Sequence, residues 1–401
     1  MLQPGINDLL KKVVPIAPSE IGQYSFMLFG SGGFAKNIYR QYSSSITAVI
    51  EHESRMSDIQ QSFKKKCLSP HDAAGNILIG SDIGNFQYNQ IKALINSDVR
   101  QIDKILLIDP YIEFRNIDLQ PPDRTILLLE HGNGVFRHGP LLKKFKGYFT
   151  DKGLTVTSLC PLTLHYYGHY SRSLNIIYFS GQRELYDIGR DIFDSRNSTY
   201  MEYGFFPQSE HFYLDKSGVS QDSSLMCDNL DWVERKHFVK LEDVRKTFLR
   251  GFAHSSLDYL LVPLQVPDDP NIIKCSRFQN GMQEFIDYIV DYYPDNQPII
   301  FKPHPKDPNL GKYDYKGKTS SQTPFLTLLE NASSVHGITS STLYEAALAG
   351  VDVWFEGSSI LAKHSHQKER LLAAMIDRQV SQKCTNFDYV LQNYTNLFLV
   401  D

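Results

Sequence analysis

Residues 299–309 read IIFKPHPKDPN: a hydrophobic run ends in a histidine set between two prolines, with a lysine on either side. Proline fixes its own φ and cannot donate to a sheet ladder, so Pro303 and Pro305 hold His304 on a stiff bend at a strand end. An imidazole there can donate to a phosphate oxygen or protonate a leaving group. Lys302 and Lys306 are drawn to the same negative charge. The stretch equally suits a sheet edge guarded by proline and lysine. A second stretch, HGITSSTLYEAALAG, tips that balance. It places Ser340, Ser341 and Thr342 where a strand gives way to a helix, and their hydroxyls with the free helix N–H groups form an anion site. Glu345, one turn in, is placed to accept from a ribose hydroxyl or to complement the helix dipole. The two stretches are expected at neighbouring strand ends of one sheet, where they make a phosphate cradle.

Three further stretches carry reactive groups. LLLEHGNGVFRHG puts Glu130 and His131 after a buried strand, with Gly132 and Gly134 allowing the turn. Either side chain can act as a general base, or the pair simply caps the strand. CDNLDWVERKH (227–237) offers Asp228 and Asp231, the second beside Trp232. FGSGGFAKN carries Gly30, Gly32, Gly33 and Ala35 at a strand-to-helix turn, a weak dinucleotide fingerprint with Glu51 or Glu53 as its acidic partner. Its plainer reading is close packing of the first helix on its sheet. No Asp-x-Asp motif stands out to hold a divalent ion, and Asp268-Asp269, between prolines, reads as a solvated loop.

These groups need strand ends to stand on. Short apolar runs at 26–30, 46–51, 76–81, 104–109 and 125–130 alternate with helical stretches, the pattern of a parallel sheet covered on both faces. Residues 140–250 are less regular, with strands at 174–179 and 210–215 and a helix over 241–252. Alternation returns with strands at 258–266, 298–305, 334–339 and 351–357 and helices at 280–293, 325–332 and 340–350. The first of these helices has Met282, Phe285, Ile286, Ile289 and Val290 on one face. The expected class is α/β, with two Rossmann-like domains facing across a cleft and ligands at the carboxyl ends of strands. The expected domains are 1–250, with an irregular insertion after about 140, and 251–401.

Bulk composition narrows the function. The chain has 401 residues, too many for one ordinary core. A net charge of −4 gives no general field for nucleic acid. Five cysteines (67, 160, 227, 275, 384) without a CxxC pair argue against a disulfide framework and fit a reducing cytoplasm. The N-terminal stretch lacks the apolar core of a signal peptide, and no run nears the ~20 apolar residues of a membrane span. The amphipathic Ile6, Leu9, Leu10, Val13 and Val14 are expected to pack on the protein itself, with peripheral membrane contact as the alternative.

The sequence of motifs, Glu130-His131-Gly132, then Lys302-Pro303-His304-Pro305, then Ser340-Ser341 before a helix, resembles bacterial GT-B glycosyltransferases that use CMP-sugars. Sialyltransferases and polysialyltransferases share that plan. The longer similarity across LLVPLQVPDDPNI (260–272) favours the β-Kdo transferases of capsule and O-antigen or lipopolysaccharide assembly. The likeness is good over 258–357 and thin elsewhere, and it departs from the family at His131, where a second acid is usual. The resemblance implies that 251–401 is the donor domain and 1–250 the acceptor side. His304 then binds the donor phosphate with Lys302, Pro305, Ser340, Ser341, Thr342 and Glu345 nearby, and Gln265 faces the cleft. It implies transfer of Kdo from CMP-β-Kdo to a bacterial glycan or lipid-linked precursor, at the cytoplasmic face of the membrane, without metal or other cofactor. Retention would require a carboxylate nucleophile, Glu130 or Asp231. Inversion, as in the sialyltransferases, would make Glu130 or His131 the base. A further glycosyltransferase module is a possible partner, and a nucleotide-binding oxidoreductase built on GSGGFAKN is the alternative of another class.

Overall fold

The computed structural model describes residues 3–397 apart from 53–54, 57–58, 60–61, 82–83, 110–123, 131–138, 168–173, 180–183, 194, 256–258, 268, 382 and 385. The chain divides into two compact units, Met1–Met201 with Thr385–Asp401, and Glu202–Cys384. Both are α/β, as the alternating pattern requires.

The first unit holds a six-stranded sheet of β1 (Val13–Ile16), β2 (Phe26–Phe29), β3 (Ile46–Ile50), β4 (Cys67–Leu68), β5 (Gly75–Ile79) and β6 (Ile102–Ile108). Its order is β1-β6-β5-β2-β3-β4, and every pairing is parallel. The N-terminal apolar residues serve this sheet. Ile6, Leu9 and Leu10 are fully buried on a short helix, Ile6–Leu10, and Val13 begins β1 instead of extending that helix.

A second parallel set follows in the same unit: β7 (Thr125–Leu129), β8 (Thr155–Leu159), β9 (Asn175–Phe179) and β10 (Ser198–Tyr203), side by side as β10-β9-β7-β8. β7 and β9 are buried at every position, which identifies sheet interior covered on both faces. The region expected to be an irregular insertion is therefore another parallel sheet. Its polar positions, such as Thr157, Ser158, Asn175 and Thr199, interrupt the apolar runs that mark the other strands.

The second unit is built on β12 (Tyr259–Pro263), β13 (Ile299–Lys302), β14 (Thr319–Ser320), β15 (Ala332–Gly337) and β16 (Asp352–Phe355). The order is β14-β13-β12-β15-β16, all parallel. The chain winds outward from β12 through β13 and β14, then returns to β12's other side with β15. A crevice must open where the two windings part, at the carboxyl ends of β12 and β15. Helix Met282–Tyr292 covers one face with Met282, Phe285, Ile286 and Ile289, as its periodicity predicts. On the other side, Leu241 of helix Arg235–Phe248 shares a core with Leu371, Leu372 and Met375 of helix Lys368–Arg378. That burial draws residues 202–250 into the second unit, so the units part within β10 and not near residue 250.

β11 (His211–Asp215) pairs antiparallel with β17 (Gln379–Ser381) in this unit. The turn after β11 is organised by one ion pair. Asp215, fully buried, accepts from Arg378 Nη1 at 2.7 Å, from Ser223 Oγ at 2.6 Å and from the Ser217 and Ser224 amides. Removing one partner leaves an uncompensated charge in a dry site. Arg378→Ala should therefore lower unfolding free energy by about 3–5 kcal/mol in urea titration.

Candidate functional site: a pocket at three strand ends

A pocket of about 640 Å³ opens at the crevice of the second unit. The ends of β12, β13 and β15 bring Gln265, Lys302, His304, Pro305, Ser340, Ser341 and Thr342 into its wall. Every donor-side residue expected from sequence lines it except Glu345. The His-Pro turn and the serine helix start are not direct neighbours, because β13 and β15 flank β12 on opposite sides. Gln265, just beyond β12, lies between them.

The His-Pro turn is rigid for reasons beyond its prolines. Asp307, buried, takes Tyr313 Oη at 2.7 Å and the Asn309 amide at 2.8 Å, while its own amide donates to the His304 carbonyl at 3.0 Å. The Lys306 amide donates to His304 Nδ1 at 3.1 Å. With Nδ1 accepting, the neutral ring carries its proton on Nε2. Burial, followed by the charge of Lys306, depresses the His304 pKa, so this tautomer is favoured near neutrality. Burial also depresses Lys302. Its ammonium donates to the Pro303 carbonyl at 3.1 Å and has no carboxylate partner among the described residues. A half-desolvated cation in this position favours an incoming anion.

The serine helix, Ser341–Leu348, begins with Ser340 as its cap. Ser340 Oγ accepts from the Thr342 amide at 3.3 Å and from Thr342 Oγ1 at 2.8 Å. Ser341 is exposed at the first position of the helix. The neighbouring end of β16 comes close because residue 357 is glycine. A Cβ there would lie 2.4 Å from Thr339 Cγ2.

Two features of the pocket were not legible in sequence. Asp269 is not a solvated loop residue: it lines the pocket, caps helix Pro270–Cys275 through the Asn271 amide at 2.9 Å and accepts from Gln265 Nε2 at 2.9 Å. The Asp-Pro pair was the available signal, since proline at the first helical position follows a capping aspartate. Asp268 lies outside the described residues. A second wall comes from 202–221, including Glu202, Phe205, Tyr213 and Gln221, with Phe205 stacked on Tyr213 at 4.5 Å.

The remaining candidates stand elsewhere. Glu130 ends β7 in the first unit, buried, with Lys146 Nζ 3.4 Å from Oε1 and no partner for Oε2 among the described residues. His131 lies outside the described residues. Asp231 is exposed and is held by Asn229 Nδ2 at 2.6 Å. Trp232 fixes the other carboxylate, donating from its indole to Asp228 at 2.9 Å, and neither aspartate lines the pocket. In the glycine-rich turn, Glu51 is buried and accepts from Ser31 Oγ at 2.6 Å. The close helix–sheet packing there is made by Gly80 against Ala35, since a Cβ at Gly32 or Gly33 would touch nothing within 4 Å. Glu53 lies outside the described residues. Among the described residues no cluster of three or more His, Cys, Asp or Glu is placed to hold a metal ion, and no helix is long and apolar enough to cross a membrane.

Residues 221–392 match the model of a family described as capsule polysaccharide biosynthesis protein. The resemblance to capsule-assembly proteins is borne out over that segment, which contains the three strand ends of the pocket. Among solved structures, the β-Kdo 2,7-transferase of Thermosulfurimonas dismutans KpsC is similar with 16% identity and a TM-score of 0.47, over 67% of this chain and 99% of its own. The β-Kdo 2,4-transferase of the same protein is similar with 14% identity and a TM-score of 0.44, over 63% of this chain and 90% of its own. No curated protein matches the chain.

Glu345 sits one turn into the serine helix, off the pocket wall and partly buried. Burial raises its carboxyl from 4.5 to about 7. A folded-state pKa above the unfolded one means the native state holds the proton longer, so stability falls as pH rises from 4.5 to about 7 and is level above. Glu345→Gln removes that loss. Urea titrations should show the variant about 3 kcal/mol more stable than the parent at about pH 8, with the difference gone near pH 4.

Proposed function

We propose that this protein is a glycosyltransferase that moves Kdo from CMP-β-Kdo to a bacterial surface polysaccharide or its lipid-linked precursor. The observation that carries this reading is the pocket wall itself. A half-buried ammonium with no carboxylate partner among the described residues, an imidazole presenting Nε2–H and an exposed helix start converge at one crevice. Such a set fits the phosphate of a nucleotide-sugar. The capsule-biosynthesis family match over the same segment supports the sugar-polymer context, and the Lys-Pro-His-Pro and Ser-Ser motifs support CMP as the nucleotide.

On this reading CMP is the leaving group. Cleaving its bond to the anomeric carbon builds negative charge on a phosphate oxygen. His304 Nε2–H donates to that oxygen, Lys302 supplies positive charge, and the Ser341 and Thr342 end of the helix faces the remaining oxygens. Pro303, Pro305 and the Asp307–Tyr313 bond hold the imidazole before the reaction, so little reorganisation accompanies charge development. Gln265 and Asp269 order the floor between the two halves of the cradle. Glu345, off the pocket wall, acts through the helix it sits in.

The acceptor hydroxyl and the anomeric carbon need groups from outside this wall. Glu130 is the proposed carboxylate, with Asp231 as the other candidate nucleophile for a retaining double displacement and His131 as the alternative base for an inverting one. The protein is proposed to act on the cytoplasmic side of the membrane, where CMP-sugars are made.

His304→Ala should reduce transfer from CMP-Kdo by at least about a hundredfold, measured as CMP released in the presence of a capsule or O-antigen acceptor. Near-normal turnover would remove His304 from the mechanism. Thermal shift of the parent protein should respond to CMP and not to UDP or NAD. A response to NAD alone would overturn the glycosyltransferase reading, and transfer from CMP-sialic acid in place of CMP-Kdo would move the donor to the sialyltransferase branch.

A further inference from the structure

Gln265 is a buried primary amide, 5% exposed, at the floor of the pocket. Both ends of that amide are occupied by the protein. Its Oε1 accepts from the Thr339 amide at 2.9 Å. Its Nε2 donates to Asp269 Oδ2 at 2.9 Å and lies 3.3 Å from Thr339 Oγ1. Its own backbone amide points to Met282 Sδ at 3.4 Å. Thr339 immediately precedes Ser340, the cap of the serine helix, and Asp269 caps helix Pro270–Cys275. One side chain on β12's extension thus ties the start of one helix to the start of another, across the point where the sheet's two windings part.

We propose that Gln265 is the positioning residue of the phosphate cradle: it binds no ligand itself but sets the Thr339–Thr342 turn and Asp269 in register by donating to one and accepting from the other. This rests on the donor-site reading above. The requirement is for an amide and not merely a polar group of that size. A hydrocarbon would take the partner from the Thr339 N–H and from Asp269 Oδ2 in a half-buried place. A carboxylate keeps the acceptor for Thr339 but sets a second negative charge against Asp269, which is unfavourable unless the two share a proton.

The second case gives a test that simple loss of packing would not mimic. The charged or titratable groups around the amide include Asp269 on the following turn, Cys275, on which Asp222 and Asp269 both act, Lys302 and His304 from the end of β13, and Glu202, Tyr203, Tyr213 and Tyr344 on the pocket wall. The turn after β15 contributes the uncharged Thr339, Ser340, Ser341 and Thr342. Groups that do not couple to residue 265 titrate alike in parent and variants, so the comparison at one pH reads the coupling of the new carboxylate to Asp269.

The experiment is calorimetric titration of CMP into the parent, Gln265→Glu and Gln265→Ala, each at about pH 5 and about pH 8. Hydrogen exchange at the Thr339 amide without ligand, and a thermal melt for folding, accompany it. Gln265→Glu should bind CMP at least about tenfold more weakly than the parent at the higher pH and regain most of that loss at the lower one. Gln265→Ala should be weak at both, with faster exchange at Thr339 in a protein that still melts cooperatively. Equal CMP affinity of Gln265→Glu and parent at the higher pH, or a deficit that does not change with pH, would overturn the proposal. So would unchanged Thr339 exchange in Gln265→Ala. Should the parent bind no CMP while Thr339 exchange rises in Gln265→Ala, the tie stands and the CMP reading fails.

Discussion

A lysine held partly out of water, without a carboxylate partner among the described residues, is the constraint around which the second unit makes sense. Burial disfavours the charged form of Lys302, and its one internal acceptor among the described residues is the carbonyl of the next residue. The neighbouring imidazole is in the same position, with burial and Lys306 both acting against its protonation. A fold evolved only for stability would pair or expose these groups. Here the surrounding bonds do the reverse: Asp307, Tyr313 and the Lys306 amide spend their hydrogen bonds on fixing the turn's shape, leaving Nε2 of His304 without a partner among the described residues.

Sheet topology explains why the opposing half of the cradle is where it is. The chain winds to one side of β12 and then to the other, so the strands after which it reverses must leave a gap at their carboxyl ends. Gln265, Asp269 and Thr339 line that gap and bond to one another across it. Local helix chemistry is then reused: both Asp269 and Ser340 are caps whose helices start at the crevice rim.

Much of this was present in local sequence. The His-Pro turn, the Ser-Ser helix start and the amphipathic helix at 282–292 are short-range patterns, because proline, capping hydroxyls and a 3.6-residue period act within a few residues. The second parallel sheet at 125–203 was less visible, since polar residues inside β8, β9 and β10 break the apolar runs that mark buried strands. Grouping of 202–250 with the second unit was invisible for another reason. It follows from Leu241 and its neighbours meeting helix Lys368–Arg378, more than a hundred residues away.

The sequence by itself determined the residue types that could hold a phosphate and the strand ends they occupy, because backbone preference and hydrophobic period are local. Only the tertiary structure decided that the Gln265 amide bonds to Thr339 and Asp269, that Asp269 lines the pocket and that Trp232 orients Asp228 instead of Asp231. Each of those outcomes turns on which of several nearby hydrogen-bond partners a side chain meets. That choice depends on strand order and on contacts between residues distant in the chain, and nothing in the spacing of residues encodes it.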